Sequence, residues 1–334
     1  MRLDRFDREV KLFVTMQYTQ LGSTDLHVSR ICFGCWQLSP SFWGEVALAP
    51  WQQSVHAAID HGVNFLDTAD AYGEGYAEEQ LGILMKRDGL RDKFTIATKF
   101  FWKFTEPSGR HPDTTYDYIL RACEDSLRRL QTDHIDLYQI HSWDAITRPD
   151  EVAKAFHQLQ KEGKVRWFGV SNLNPEQMDL YQSHFEVSCL QPAYSLLDRG
   201  IEARELPYCL NKNIGVINFS PLFRGLLGGR YTADSTIEGS RANGPLFHGE
   251  GLRIMVEAID KAKAIAAEHD LTMAQLAMRW TLTNPAITSA IAGVKKPEHI
   301  IGTVKAADDV LSHKVWYQVA NLFKEAQTKA LAAS

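Results

Sequence analysis

The chain has 334 residues, 45% of them hydrophobic and 23% charged, and carries a net charge of −5. That length and balance fit one folded domain of α/β-barrel size. The small negative charge gives no general attraction to nucleic acid or anionic membrane, and no stretch approaches the roughly 20 apolar residues that span a bilayer.

The first fifteen residues, MRLDRFDREVKLFVT, mix charges of both signs and lack an uninterrupted apolar core, so they do not read as a secretory leader. They read as a flexible extension or a misassigned start, ahead of a domain covering 16–334 that opens at Met16. Five scattered cysteines, Cys32, Cys35, Cys123, Cys189 and Cys209, form no disulfide framework and suit a reducing cytoplasm. Cys32 and Cys35 make a C-x-x-C with no second pair or His pair to complete a metal site, so they read as structural thiols on or beside a strand.

Along the chain, short β-branched or aromatic runs alternate with longer amphipathic segments. The runs are VSRICFG, VNFLDT, FTIATKF, IDLYQIH, VRWFGVS, VSCLQ, GVINFS and ITSAIAG, eight candidate strands. WQQSVHAAIDHG, TYDYILRACEDSLRRL, PDEVAKAFHQLQKEGK and TMAQLAMRWTLTNP carry helical periodicity between them. Such alternation predicts parallel strands with crossover helices. A doubly wound sheet holding a dinucleotide would place G-x-G-x-x-G after an early strand, but the first strand runs into GCWQLSP. The prediction is therefore a single (β/α)8 TIM barrel. The polar, glycine-rich stretch from Arg224 to Arg253 is expected to be a large loop over the mouth after strand seven, and the tail from His313 an extra C-terminal helix.

Catalytic groups in a parallel barrel collect where strands end. The second strand ends in DTADAYG with Asp67 and Tyr72, the third in Lys99, the fourth in His141. Alone, each has a plainer role: a cap, packing, or a solvated cation. Together at three consecutive strand ends they form a proton-transfer set. A neighbouring ammonium, Lys99, is expected to lower the pKa of Tyr72 toward the working pH, with Asp67 holding Lys99 charged and His141 orienting a carbonyl oxygen. Such a set supplies no hydride, so a nicotinamide cofactor is required.

GVNFLDTADAYG, FTIATKF, IDLYQIHSW, VRWFGVSN and INFSPLFRGLLGGRY resemble the signature blocks of the aldo-keto reductase superfamily, from about Met16 to about Ala306. The resemblance implies a tetrad of Asp67, Tyr72, Lys99 and His141 and NADPH extended across the barrel mouth, with no metal; NADH is not excluded. It implies that Ser171, Asn172 and Gln191 hold the nicotinamide carboxamide, that Phe219 stacks on the ring, and that Ser220, Pro221, Leu222, Arg224 and Gly225 wrap the pyrophosphate. Arg230 and Arg241 fall at phosphate-gripping positions, and Gly34, Cys35, Trp36 and Gly293 border the cofactor. The block AIAGVKKPEHIIGTVKA, with His299 and Thr303, matches the adenosine end but departs from the family pattern there, which leaves Lys295 and Lys296 to hold the 2′-phosphate.

Trp36, Phe101, Trp102 and Trp143 are expected to wall a substrate pocket for a carbonyl or alcohol, sugars included. Two rivals stand beside the enzyme reading. A cofactor-binding regulatory subunit resembling potassium-channel β subunits would keep barrel and cofactor, although His141 stands where that branch commonly differs. A metal-dependent barrel hydrolase would need a His and carboxylate cluster that the spacing of His134 and His141 does not supply. Oligomeric state, substrate and reaction direction are left open.

Overall fold

The computed structural model describes residues 16–105 and 109–333, so the expectation for residues 1–15 lies outside the described residues. The chain opens with an antiparallel hairpin, β1 (Tyr18–Gln20) and β2 (His27–Ser29), followed by β3 (Ile31–Gly34), β4 (Phe65–Asp67) and β5 (Thr95–Phe100). A second hairpin, β6 (Trp102–Thr105) and β7 (Gly109–Pro112), precedes β8 (Ile135–Ile140), β9 (Val165–Ser171), β10 (Cys189–Gln191), β11 (Gly215–Asn218) and β12 (Ser289–Gly293). Strands β3, β4, β5, β8, β9, β10, β11 and β12 pair in parallel, in that order, and β12 closes on β3. All eight candidate strands fall in the closed barrel, as expected.

Period-2 alternation sorts each strand's side chains between the two sides of the barrel wall. Cys32, Phe65, Ala97, Leu137, Cys189, Ile217 and Ile291 pack together inside, and Leu21, Leu26 and Val28 from the β1–β2 hairpin join them and plug that end. Two residues further along come Gly34, Asp67, Lys99, Gln191, Phe219 and Gly293, so the interior turns from apolar to polar as it approaches the open mouth. A larger apolar layer lies between barrel and helices and includes Phe33, Trp51, Phe156 and Trp280.

The helices are α1 (Pro40–Trp43), α2 (Leu48–Asp60), α3 (Tyr76–Asp88), α4 (Tyr116–Leu130), α5 (Pro149–Lys161), α6 (Pro175–Gln182), α7 (Glu205–Lys212), α8 (Gly249–Glu268), α9 (Met273–Thr283), α10 (Pro297–Val304) and α11 (His313–Ala332). Helix α4 buries Ile119, Ala122, Cys123, Ser126, Leu127 and Leu130, a three-four spacing that lays one stripe on the barrel. Capping boxes start two helices, Asn174 with Gln177 on α6 and Thr272 with Gln275 on α9. The C-terminal helix was expected and sits against α8, with Trp316 stacked on Trp280 at 4.9 Å between ring centroids.

Gly82 sets how closely α3 and α4 approach. A Cβ there would fall inside contact distance of the Arg129 carbonyl oxygen and 2.7 Å from Leu130 C, both backbone atoms that cannot swing aside. Gly82→Ala is expected to lower unfolding free energy by about 1–3 kcal/mol, read by denaturant melts; an unchanged midpoint would show that the helices separate freely.

The loop expected from Arg224 to Arg253 follows β11, the seventh barrel strand, and only its far bound shifts, to the start of α8 at Gly249. It holds short 3-10 turns at Phe223–Gly228, Gly239–Arg241 and Pro245–Phe247, and its last five residues belong to α8. Ile237, Leu246 and Phe247 are buried, so apolar anchors pin the loop to the core beneath its polar composition. The five cysteines are buried free thiols. Among the described residues no helix is long and apolar enough to cross a membrane, and no three His, Cys, Asp or Glu group to hold a metal ion.

Candidate active site

Closure of the barrel brings the ends of β4, β5 and β8 together. Lys99 is fully buried, and its Nζ donates to Asp67 Oδ1 at 2.8 Å, Asp67 Oδ2 at 2.9 Å, Thr68 O at 2.7 Å and Tyr72 Oη at 3.3 Å. An ammonium has three protons, so these partners saturate it and aim one donor at the phenol. The Tyr72 ring stands edge-on to His141 at 6.0 Å between centroids and 6.4 Å from Trp36. Asp67, Tyr72, Lys99 and His141 thus form one contiguous group at the mouth.

The electrostatics differ from the sequence expectation at Tyr72. Burial pushes its phenol up to about 12, and the opposing pull of Lys99 is not enough to bring it below its ordinary value. Asp67, behind Lys99, also works against ionisation. Tyr72 therefore holds its proton throughout the neutral range. Burial would depress Lys99, but Asp67 and Tyr72 outweigh it and hold the ammonium above its ordinary value. His141 is driven down to about 3 by burial, then by the charges of Lys99 and Arg110. It is a neutral imidazole, able to donate from one nitrogen and accept at the other.

Two supports were not foreseen. Gln191 donates its amide Nε2 to Asp67 Oδ2 at 2.8 Å, so it steadies the carboxylate that holds Lys99. Behind the DTADAYG turn, buried Glu78 accepts from Thr98 Oγ1 at 2.5 Å and from Arg129 Nε at 2.8 Å, tying α3 and α4 to the strand that carries Lys99. Burial and the nearby Glu78 push the Asp70 carboxyl well above its usual range. The E-E in YAEEQLG was the available signal, but an acidic pair on a helix reads as solvated surface until its buried face is known.

The remaining expected cofactor positions lie around this group. Ser171 Oγ donates to Gln191 O at 2.8 Å, and Asn172, at φ 61, reaches Ser171 Oγ at 3.0 Å and His141 O at 3.3 Å through its amide nitrogen. Phe219 joins β11 to the loop in which Ser220, Phe223, Arg224 and Gly225 all take positive φ, with Pro221 and Leu222 between. A non-glycine residue held there costs roughly 1–3 kcal/mol, a strain that clusters at ligand sites. Cys35 is buried, Gly34 pairs with Asp67 and Gly293, and the Gln37 amide covers Gly293.

Three cations gather over the same loop. The Gly225 face is open, and a Cβ built there would lie 3.8 Å from Arg241 Nη1 and 3.9 Å from Arg230 Nη2. Lys295 Nζ donates to Trp43 O at 3.0 Å and lies 5.6 Å from that ring, which the Arg241 guanidinium also faces at 5.5 Å. Partial burial, Arg241 and Arg230 together lower the Lys295 ammonium below its ordinary value. Like charges held this closely favour an anion between them. The cradle fits a dinucleotide's phosphates.

Other positions are engaged differently. Arg224 stacks on Phe247 at 4.9 Å, and Lys296 approaches Glu298 at 3.8 Å. His299 Nδ1 accepts from Lys295 N at 3.3 Å, while Thr303 is buried and its hydroxyl donates to Ile300 O. Phe101 also departs from expectation: it is 2% exposed, within the core, and packs edge-on against Trp102 at 4.7 Å. Trp36, Trp102 and Trp143 are half-buried at the mouth.

The sequence profile of the Aldo/keto reductase family matches residues 30–324. The chain belongs to the aldo/keto reductase family. It is 35% identical over 287 residues to the aldo-keto reductase YhdN of Bacillus subtilis, covering 84% of this chain and 86% of that one. It is 29% identical over 312 residues to the NADH-specific methylglyoxal reductase of Escherichia coli, covering 89% and 95%. Among solved structures, the glycerol dehydrogenase of Gluconobacter oxydans superposes with a TM-score of 0.86 at 31% identity, over 92% of this chain and 95% of that one. Family membership makes the chain an oxidoreductase that works with a nicotinamide cofactor.

Proposed function

We propose that this aldo-keto reductase uses NADPH to reduce an aldehyde or ketone to its alcohol, with Tyr72 as the proton donor. The observation that carries this reading is the saturated Lys99, held by Asp67 and Thr68 and donating to the Tyr72 oxygen. A bound nicotinamide supplies the hydride. The protein's own groups do the rest. Neutral His141 donates to the carbonyl oxygen and orients it, Tyr72 gives its proton to that oxygen as negative charge develops, and Lys99 stabilises the phenolate left behind. Asp67 and Gln191 keep Lys99 charged and in place. Trp36, Trp102 and Trp143 exclude water around the reacting carbon and offer apolar surface to the substrate.

Ser171 and Asn172 would hold the nicotinamide end and Phe219 its face, with Arg230, Arg241 and Lys295 on the phosphates. Lys295, already crowded by Arg241 and Arg230, supports a preference for the additional 2′-phosphate of NADPH. The test is cofactor oxidation with a panel of aldehydes, ketones and sugars, comparing NADPH with NADH. The Michaelis constant should be lower for NADPH by about tenfold, the equivalent of one charge-assisted contact, and Lys295→Met should close most of that gap. Equal constants in the wild type would contradict the preference. Cofactor binding with no turnover across the panel would instead favour a regulatory role.

A further inference from the structure

The β6–β7 hairpin rises from the barrel mouth directly after β5, and Trp102 follows Lys99 by three residues. It is fastened at its base: Asp113 N donates to Phe101 O at 2.9 Å and Tyr118 Oη to Trp102 O at 2.9 Å. Phe101 lies buried behind Trp102, so that indole cannot retreat. Register pairs Trp102 with Pro112 and Phe104 with Arg110, which brings the Arg110 guanidinium over the Trp102 ring at 4.8 Å from its centroid. The end of β5 also holds His141, whose backbone N–H donates to Phe100 O at 3.0 Å. The charge of Arg110 reaches that imidazole and helps to keep it neutral.

A guanidinium stacked on an indole keeps its N–H edges available in the ring plane, the fork that matches a carboxylate with two parallel hydrogen bonds. Among the described residues, the nearby anionic groups are already engaged. Asp113 faces Lys103 at 3.5 Å and accepts from Thr115 N and Oγ1, and Asp144 accepts from Thr114, Thr147 and Ile146 N.

Building on the reductase reading above, we propose that Arg110 is a specificity residue selecting carbonyl substrates that carry a carboxylate away from the reacting carbon. The aldehyde lies at Tyr72 and His141, and the carboxylate meets Arg110 on the outer side of Trp102.

The test compares kcat/KM for 4-carboxybenzaldehyde with that for 4-nitrobenzaldehyde in wild type, Arg110→Ala and Arg110→Lys, at low and high salt. Intrinsic reactivity cancels when the ratio of the two substrates is compared between variants. The ratio should fall about tenfold in Arg110→Ala, one charged contact's worth. Arg110→Lys should fall between, because it keeps the charge and loses the planar fork. The wild-type ratio should shrink as salt screens the contact. Turnover of 4-nitrobenzaldehyde with the same ratio in wild type and Arg110→Ala would overturn the selectivity alone. Reduction of neither aldehyde by the wild type, with NADPH or NADH, would overturn the reductase reading and this inference with it.

Discussion

Tyr72→Phe should lose about 10²–10⁴ in turnover, the range a positioned general acid contributes, while its affinity for NADPH stays within about twofold. The change removes one oxygen, whose protein partner is Lys99 at 3.3 Å, and keeps the ring that packs against Trp36 and His141. Lys99 retains Asp67 and Thr68, so stability should change by no more than about 1 kcal/mol, a single exchanged hydrogen bond. Titration of cofactor fluorescence and steady-state rates separate binding from chemistry. Affinity and turnover falling together would show that Tyr72 shapes the cofactor site and is not the acid.

Lys99→Met should be inactive and also unstable, for two separable reasons. The ammonium and the Asp67 carboxylate are 0% and 2% exposed, and each pays for the other's burial. With Lys99 gone, Asp67 keeps Gln191 but has lost its counter-charge, which costs about 3–5 kcal/mol and on the order of 10 °C in thermal midpoint. Adding Asp67→Asn to Lys99→Met removes the stranded charge. The double variant should recover most of the stability and none of the turnover, measured by thermal melts and cofactor oxidation. Recovery of neither would mean that the pair is structural packing whose charge is incidental. Recovery of both would remove Lys99 from the proton-transfer set.

The barrel was legible because its signal is periodic and repeated: each run from VSRICFG to ITSAIAG lies between turns or amphipathic segments, and eight parallel strands close. The grouping of Asp67, Tyr72, Lys99 and His141 followed from that closure, since consecutive strand ends must meet. What was not legible depends on burial or on contacts far apart in sequence. Gln191 reaches Asp67 across 124 positions, and the Glu78–Arg129 pair spans 51. The direction of the Tyr72 shift was misread because the lysine is visible in the sequence and the closed surroundings that outweigh it are not. The β6–β7 hairpin was missed because its strands are short and largely polar, and it adds no ninth unit to the barrel repeat. Phe101 was misplaced for the same reason: at the start of a hairpin, alternate residues face the core and the mouth.

The central claim is that one group, Tyr72, gives the proton in reduction and takes it in oxidation. The direct test is the pH dependence of initial rates in both directions, for wild type and Tyr72→Phe. Tyr72 holds its proton with a pKa raised to about 12, so carbonyl reduction should stay level through neutrality and decline only at the alkaline end. Alcohol oxidation needs the phenolate and should rise with pH over the same range. In Tyr72→Phe both slopes should vanish along with most of the rate. Profiles that run parallel in the two directions, or that persist unchanged in Tyr72→Phe, would place the proton on another group.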